Sequence, residues 1–286
     1  MSTTPHTFIG AEALAARLDD ARLRLFDCRS DLLDANAGRE AYERGHLPQA
    51  RHAGLDRELS APVTVSTGRH PLPDPARFET TLRDWGVNGD SIVVAYDDRN
   101  GAYAARLWWM LRWLGHDDVC VLDGGYARWT QLGLPTATDR TPALPRGDFV
   151  AHPRGAMVAT AADVALAGRD RTIRVLDARG AERFRGDVEP IDAVAGHVPG
   201  AVNHPYTASL GPDGRALPPR ELRSTFSAPL GDVGPDRTIA MCGSGVTACH
   251  LLLALEHAGL AGGRLYAGSW SEWIRDPSRP VAKGPD

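Results

Sequence analysis

Short uninterrupted apolar runs alternate along the chain with segments in which apolar residues recur every three or four positions. The first pattern is that of buried strands and the second that of helices. Residues 8–18 read as a short amphipathic helix with Leu14 and Leu18 on its apolar side. Residues 23–29 read as a strand that ends in polar residues, Asp27-Cys28-Arg29. The segment from Gly38 to Tyr42 leads into Gly45-His46-Leu47-Pro48-Gln49-Ala50, and an irregular stretch rich in Pro and Gly follows. A helix is predicted near 74–85, a buried strand over 91–96, and a helix over 101–114 with Trp108, Trp109 and Trp113 on an aromatic face. Residues 119–122 form another strand, and 123–129 open a short last helix.

The second half repeats this order, and a repeat governs every later reading of a chain. Val175-Leu-Asp177-Ala-Arg179 echoes Leu25-Phe-Asp27-Cys-Arg29, and Gly196-His197-Val-Pro-Gly-Ala201 echoes Gly45 to Ala50. Thr238 to Met241 echoes Ser91 to Tyr96, and Gly268 to Trp273 echoes Gly124 to Trp129. The offsets are 150, 151, 145 and 144 residues, so one unit of about half the chain is duplicated. Such a period is too long for a solenoid. Strands alternating with helices indicate an α/β fold with two tandem domains, each a mostly parallel central sheet flanked by helices. Pro, Thr, Arg and Gly crowd the stretch from Pro135 to Arg154 without periodicity, which reads as a surface linker. The expected division is a first domain at 1–137, a linker at 138–155 and a second domain at 156–286.

With 286 residues and 43% apolar content, the chain can fill two ordinary cores. A net charge of −4 gives no general nucleic-acid surface. No run of apolar residues is long enough to cross a membrane. A cytoplasmic protein without nucleic-acid or membrane partners is expected. Cys28, Cys120, Cys242 and Cys249 show neither a CxxC pair nor metal-ligand spacing, so a disulfide framework, a metal or another cofactor is not expected.

The chemistry concentrates at Thr238-Ile-Ala-Met-Cys242-Gly243-Ser244-Gly245-Val246-Thr247-Ala248-Cys249. A buried strand runs straight into Cys242, and a helix rich in apolar residues begins near Val246. Glycines at 243 and 245 permit tight turns that gather backbone N–H groups around a small concavity. Those amides and the helix dipole favour an anion, and a thiolate is one. Cys242 is therefore the candidate nucleophile.

This loop resembles the active-site loop of the tandem-domain rhodanese-type sulfurtransferases, the family of 3-mercaptopyruvate and thiosulfate sulfurtransferases. Its Gly243-Ser244 pair is similar to the mercaptopyruvate branch, where the thiosulfate branch usually carries Arg-Lys. The resemblance covers nearly the whole chain and implies two rhodanese-like domains of which the second is catalytic. It implies a sulfane sulfur taken from an anionic small-molecule donor, held as a Cys242 persulfide and given to a thiophilic acceptor: cyanide, or a thiol such as that of a thioredoxin-like protein. Gly243 to Ala248, with Gly245, Val246 and Thr247 among them, would offer backbone donors to the anionic sulfur. Ser244 would hydrogen-bond the thiolate or relay a proton to the leaving carbon; a helix-proximal cap is its other reading. Thr247 has the same two readings, the structural one favoured.

Anionic donors call for an arginine fork. Arg183, before Phe184 in Asp177-Ala-Arg179-Gly-Ala-Glu-Arg183-Phe184, matches the family's anion-binding arginine, whereas Arg179 is expected to tie the strand end to neighbouring loops. A second arginine that the mercaptopyruvate branch often carries in a Glu-Pro-Arg context is missing here, because the chain reads Glu189-Pro190-Ile191-Asp192. Arg185 is one substitute for it. The family's histidine and acid, recruited from the first half, correspond to His70 in Arg69-His70-Pro71 and to Asp56 or Glu58. With glycine and serine after the cysteine, the loop itself brings no cation beside the sulfur, an arrangement suited to a monoanionic donor better than to a dianion.

In the first half Asp97 falls where Cys242 stands in the second, in Asp97-Asp-Arg-Asn-Gly101, one residue longer. An aspartate carries no persulfide, so the first half is expected to be an inactive copy, retained for stability and as one wall of a cleft, with Asp97 itself in a turn. A cysteine phosphatase would need an arginine six residues after the cysteine, where Ala248 stands. A non-enzymatic binding module of this family would usually have lost the cysteine. Cys249 lies two helical turns on from Cys242 and reads as buried rather than as a redox partner.

Overall fold

The computed structural model describes residues 7–98, 100–168, 170 and 172–285. The outermost residues of the two expected domains, 1–6 and 286, and Arg99 of the Asp97 loop lie outside the described residues. Two compact units make up the chain. The first holds Met1–Ala61, Leu72–Arg154 and Pro212–Ala216; the second holds Pro62–Pro71, Gly155–Gly211 and Leu217–Asp286. The division thus departs from a single cut in the linker, and the segment Pro62–Pro71 packs with the second unit although it lies in the first half of the sequence.

In the first unit the order is β1 (Phe8–Ile9), α1 (Ala11–Ala15), β2 (Leu23–Asp27), α2 (Ala37–Arg44), β3 (Arg51–His52), α3 (Pro75–Asp84), β4 (Ile92–Tyr96), α4 (Ala104–Trp113), β5 (Val119–Leu122) and α5 (Gly125–Gln131). Its strands pair in parallel in the order β1-β5-β4-β2-β3. The second unit runs α6 (Ala161–Ala167), β6 (Arg174–Asp177), α7 (Ala181–Arg185), β7 (Val202–Asn203), α8 (Pro219–Leu230), β8 (Thr238–Met241), α9 (Thr247–His257), β9 (Arg264–Leu265) and α10 (Ser269–Trp273). Its sheet, also parallel, has the order β7-β6-β8-β9. Reversed, this is the first sheet without β1, whose place is taken by a single parallel bridge from Val158 to Leu265. The sequence repeat is therefore a repeat of strand order.

Central strands β4 and β8 are buried along their whole length, as continuous apolar runs in a parallel sheet require. Around them, Leu25, Val94, Tyr96 and Trp129 fill one core, and Val175, Phe184, Met241, Trp270 and Trp273 the other. α9 is buried from Ala248 to Leu255, which is why its sequence is apolar on every side.

The repeated Asp-x-Arg motif is one structural device used twice. Arg29 and Arg179 each clasp their own aspartate, Asp27 or Asp177, at the end of the strand. Each then donates Nη2–H to the carbonyl of the glycine that opens the Gly-His motif, Gly45 at 2.6 Å and Gly196 at 2.8 Å. Arg29 lies 4.1 Å over the Tyr126 ring and Arg179 4.8 Å over the Trp270 ring. The expected role of Arg179 as a tie is thus seen in its contacts.

Three elements differ from the sequence reading. The proposed helix at 8–18 is a strand, Phe8–Ile9, followed by a helix of only five residues, because Gly10 is extended and Phe8 pairs with Val121 of β5. The segment around Gly38 to Tyr42 is itself helical, α2. The helix over 101–114 begins three residues late, at Ala104, because Asn100 and Gly101 take left-handed backbone angles, φ 58° and 88°.

Candidate active site

β8 ends at Met241, Cys242 follows, and α9 starts at Thr247, so the cysteine sits at the expected strand-to-helix turn. Cys242 is 2% exposed. Its Sγ accepts the Gly245 N–H at 3.1 Å, and its own N–H is donated to Ser269 Oγ at 3.0 Å. The carbonyls of Cys242 and Gly243 accept the N–H groups of Trp270 and Ser271 at 3.0 and 2.9 Å, which clamps the loop to the start of α10. No side chain caps α9; Val246 occupies the N-cap position, buried, and Thr247 opens the helix half-buried.

The two glycines do different things. Gly245 has φ +77°, and a β-carbon there would lie 2.4 Å from the Ala267 carbonyl oxygen, so only glycine fits. Gly243 is not left-handed. A β-carbon on it would lie 3.0 Å from Arg69 Nη2 and 3.6 Å from both terminal nitrogens of Arg183. Its missing side chain leaves room for two guanidinium groups rather than for a turn.

Ser244 does not cap the helix. Its hydroxyl is 2.7 Å from His70 Nδ1, with the serine 3% and the histidine 6% exposed. His70 lies on Pro62–Pro71, the segment that packs with the second unit, and Gly68 and Arg69 fix this segment near Gly268 and Ser271. The Arg69 N–H is donated to Ser271 Oγ at 3.1 Å. Asp56 and Glu58 belong to the first unit, where the Glu58 carboxylate accepts the Gly54 N–H at 2.9 Å.

Arg183 stands beside the loop as expected, but it is not free. Nε and Nη2 donate to Glu189 Oε1 at 3.1 and 2.7 Å, and Nη2 reaches Asp192 Oδ2 at 3.1 Å. The other oxygen of Asp192 pairs with Arg69 Nη1. Glu189 also accepts the N–H groups of Ile191 and Asp192, and it lies 3.6 Å from Arg179. Burial works against the Glu189 carboxylate, yet Arg183 and these amides hold it below the usual carboxylate range. Burial prevails at Asp192 and, with the neighbouring Glu189 charge, pushes its carboxyl up despite Arg69 and Arg183. The Arg179 guanidinium is held charged against burial by Asp177 and Glu189, and Cys242 is among the groups it feels. Arg185 is turned away to Asp187, at 2.7 Å, and does not join this cluster.

Of the residues expected from the sequence, the structure brings Ser244, His70 and Arg183 near the Cys242–Thr247 loop, and it adds Arg69, Asp192 and Ser269, which the sequence reading did not assign to the site. The loop itself carries no cation, and Arg69 joins the expected Arg183 in approaching Gly243. Arg69 adjoins His70 in sequence, and that adjacency was the available signal. In the first unit, Asp97 fills the corresponding turn with its own anion. Its carboxylate, fully buried, accepts the N–H groups of Gly101, Tyr103 and Ala104 at 2.7–2.8 Å.

A cysteine seated in an amide-lined turn between a parallel strand and a buried helix, within a duplicated α/β chain, defines the class of protein. The rhodanese-like domain profile matches residues 10–132 and again 160–276, and the chain belongs to the rhodanese family. It is 51% identical over 276 residues to a Pseudomonas aeruginosa protein named as a probable 3-mercaptopyruvate sulfurtransferase, covering 96% of this chain and 97% of that one. A Mycobacterium tuberculosis protein with the provisional name thiosulfate sulfurtransferase is 42% identical over 258 residues, 88% of each chain. Among solved structures, a 3-mercaptopyruvate sulfurtransferase of Escherichia coli matches with a TM-score of 0.78 and 35% identity over 93% of this chain and all of that one. Among the described residues no helix is long and apolar enough to cross a membrane, and no three His, Cys, Asp or Glu side chains are grouped to hold a metal ion.

Proposed function

We propose that this chain is a sulfurtransferase that takes sulfur from 3-mercaptopyruvate onto Cys242 and passes it to a thiol or to cyanide. The observation that carries the choice of donor is the buried 2.7 Å contact between Ser244 Oγ and His70 Nδ1, two residues along the chain from the cysteine. The Cys242 thiolate attacks the donor's sulfur, and the carbon–sulfur bond breaks. The electron pair stays on the carbon as the enolate of pyruvate, which must take a proton to leave as pyruvate. Ser244, bonded to His70, supplies that proton and recovers it from solvent. The donor's thiol proton passes to solvent, which leaves a persulfide anion with its charge on the outer sulfur, while the inner sulfur keeps the Gly245 N–H. In the second half-reaction the acceptor's thiolate or cyanide carbon attacks the outer sulfur, and Cys242 leaves as thiolate. Val246 and Thr247 shape the helix start behind the sulfur, and Arg183 anchors the donor's carboxylate.

Thiosulfate is the second reading, favoured by the two arginines against Gly243. Its cleavage breaks a sulfur–sulfur bond and releases sulfite, which needs no proton from the protein. Glu189 and Asp192 offset part of the charge of Arg183 and Arg69, which reduces what a second negative charge on the donor gains there while leaving their N–H donors for a carboxylate. The Asp97 carboxylate supports reading the first unit as a copy without chemistry, its anion site already filled from within. We place the protein in the cytoplasm, with a small thiol or a thioredoxin-like protein as acceptor. Measuring kcat/KM for both donors side by side tests the proposal. It predicts the higher value for 3-mercaptopyruvate; a higher value for thiosulfate would replace it with the second reading.

A further inference from the structure

The family arginine expected after Glu189-Pro190 is absent, yet two guanidinium groups still meet at Gly243. The second is Arg69. Its backbone is fixed by the N–H donated to Ser271 Oγ, and its Nη1 is held by Asp192. Its Nη2 is the atom closest to where a Gly243 β-carbon would be, 3.0 Å away. Asp192 divides its oxygens between the arginines, Oδ1 to Arg69 and Oδ2 to Arg183. Two guanidinium groups set side by side repel, and one buried carboxylate bridging them removes the cost of bringing them together. Asp192 is the residue that stands directly after the position where the arginine is missing.

We propose that Arg69 is the second donor-binding arginine of this enzyme, supplied by the segment that also carries His70 and held in register with Arg183 by Asp192. This rests on the reading of 3-mercaptopyruvate as donor. Arg69 Nη2 and Arg183 each donate to one oxygen of the α-keto acid's carboxylate, above Gly243, and Asp192 positions both without touching the donor. Glycine at 243 is then part of the specificity, since any side chain there enters the space of Arg69.

The test compares loading of Cys242 from 3-mercaptopyruvate and from inorganic polysulfide, which carries sulfur without a carboxylate. Arg69→Ala should raise KM for 3-mercaptopyruvate by about ten- to a hundredfold, the loss of one charge-assisted contact, while loading from polysulfide, an anion that forms no carboxylate fork with the arginine, should fall by a clearly smaller factor. Arg69→Lys, which keeps the charge and loses the fork, should fall between. Asp192→Ala should raise KM for 3-mercaptopyruvate with little change in kcat. An unchanged KM in Arg69→Ala would overturn the assignment, as would equal losses with both sulfur sources, because that pattern marks a damaged loop. A lowered KM in Asp192→Ala would show that the carboxylate competes with the donor, and would overturn its positioning role. If 3-mercaptopyruvate fails to load even the wild type while polysulfide succeeds, the donor reading fails, independently of Arg69.

Discussion

Replacing Ser244 by alanine removes one oxygen and separates two effects that the structure joins. The hydroxyl sits 2.7 Å from His70 Nδ1 in surroundings where the two residues are 3% and 6% exposed. Losing the hydroxyl removes one buried hydrogen bond, a cost of about 0.5–1.5 kcal/mol in stability. The catalytic effect should be larger and should depend on the donor. Proton delivery by a positioned group is worth about a hundredfold to ten-thousandfold in rate. That loss should fall on 3-mercaptopyruvate, whose cleavage leaves a carbon base. Thiosulfate cleavage leaves sulfite and should change by no more than about threefold, the scale of a small perturbation of the loop. The assay is single-turnover loading of Cys242 from each donor, with thermal unfolding to record the stability cost. His70→Asn should give a similar donor-dependent loss, and the double variant should be little worse than either single one, because paired groups act as a unit. Equal losses for both donors would refute the reasoning, since Ser244 would then serve the loop alone. So would full activity of Ser244→Ala with 3-mercaptopyruvate.

Asp97→Ala should destabilise the first unit by roughly 3–5 kcal/mol, because the carboxylate satisfies three buried N–H groups whose separate contributions do not add in full; urea unfolding measures it, and a loss under about 1 kcal/mol would contradict the anion role of Asp97. Cys28→Ser, Cys120→Ser and Cys249→Ser should each keep most of the sulfur transfer in a steady-state assay. Burial, together with the charges of Asp97 and Asp27, pushes the Cys28 thiol well up, and burial takes Cys120 to about 12, while Cys249 spends its thiol on the Gly245 carbonyl at 3.2 Å.

The sequence made the strand order and the cysteine turn legible because both rest on local signals. Apolar runs mark β4, β5 and β8, and the repeated Asp-x-Arg and Gly-His motifs mark a device that the structure uses in each unit. Short edge strands such as β1, two residues long, carry no periodicity of their own and were read as the start of a helix. The site was legible where it is contiguous, from Cys242 to Thr247, and where a charged residue follows a recognisable motif, as Arg183 does. It was illegible where the chain returns from far away. Arg69 and Asp192 are 123 residues apart, and neither carries a local pattern that predicts their ion pair. His70 was found through the family resemblance, but its bond to Ser244 spans 174 residues and could come only from the fold. Gly243 reads from the sequence as a turn glycine; its nearness to Arg69 and Arg183 depends on neighbours that spacing does not reveal.

The most direct measurement is the intact mass of the protein after treatment with 3-mercaptopyruvate in the absence of an acceptor. The account predicts one added sulfur atom on wild type, removed by cyanide, and none on Cys242→Ser. It predicts the same single addition on variants lacking Cys28, Cys120 or Cys249. Sulfur retained by Cys242→Ser, or mapped to another cysteine of the wild type, would contradict it.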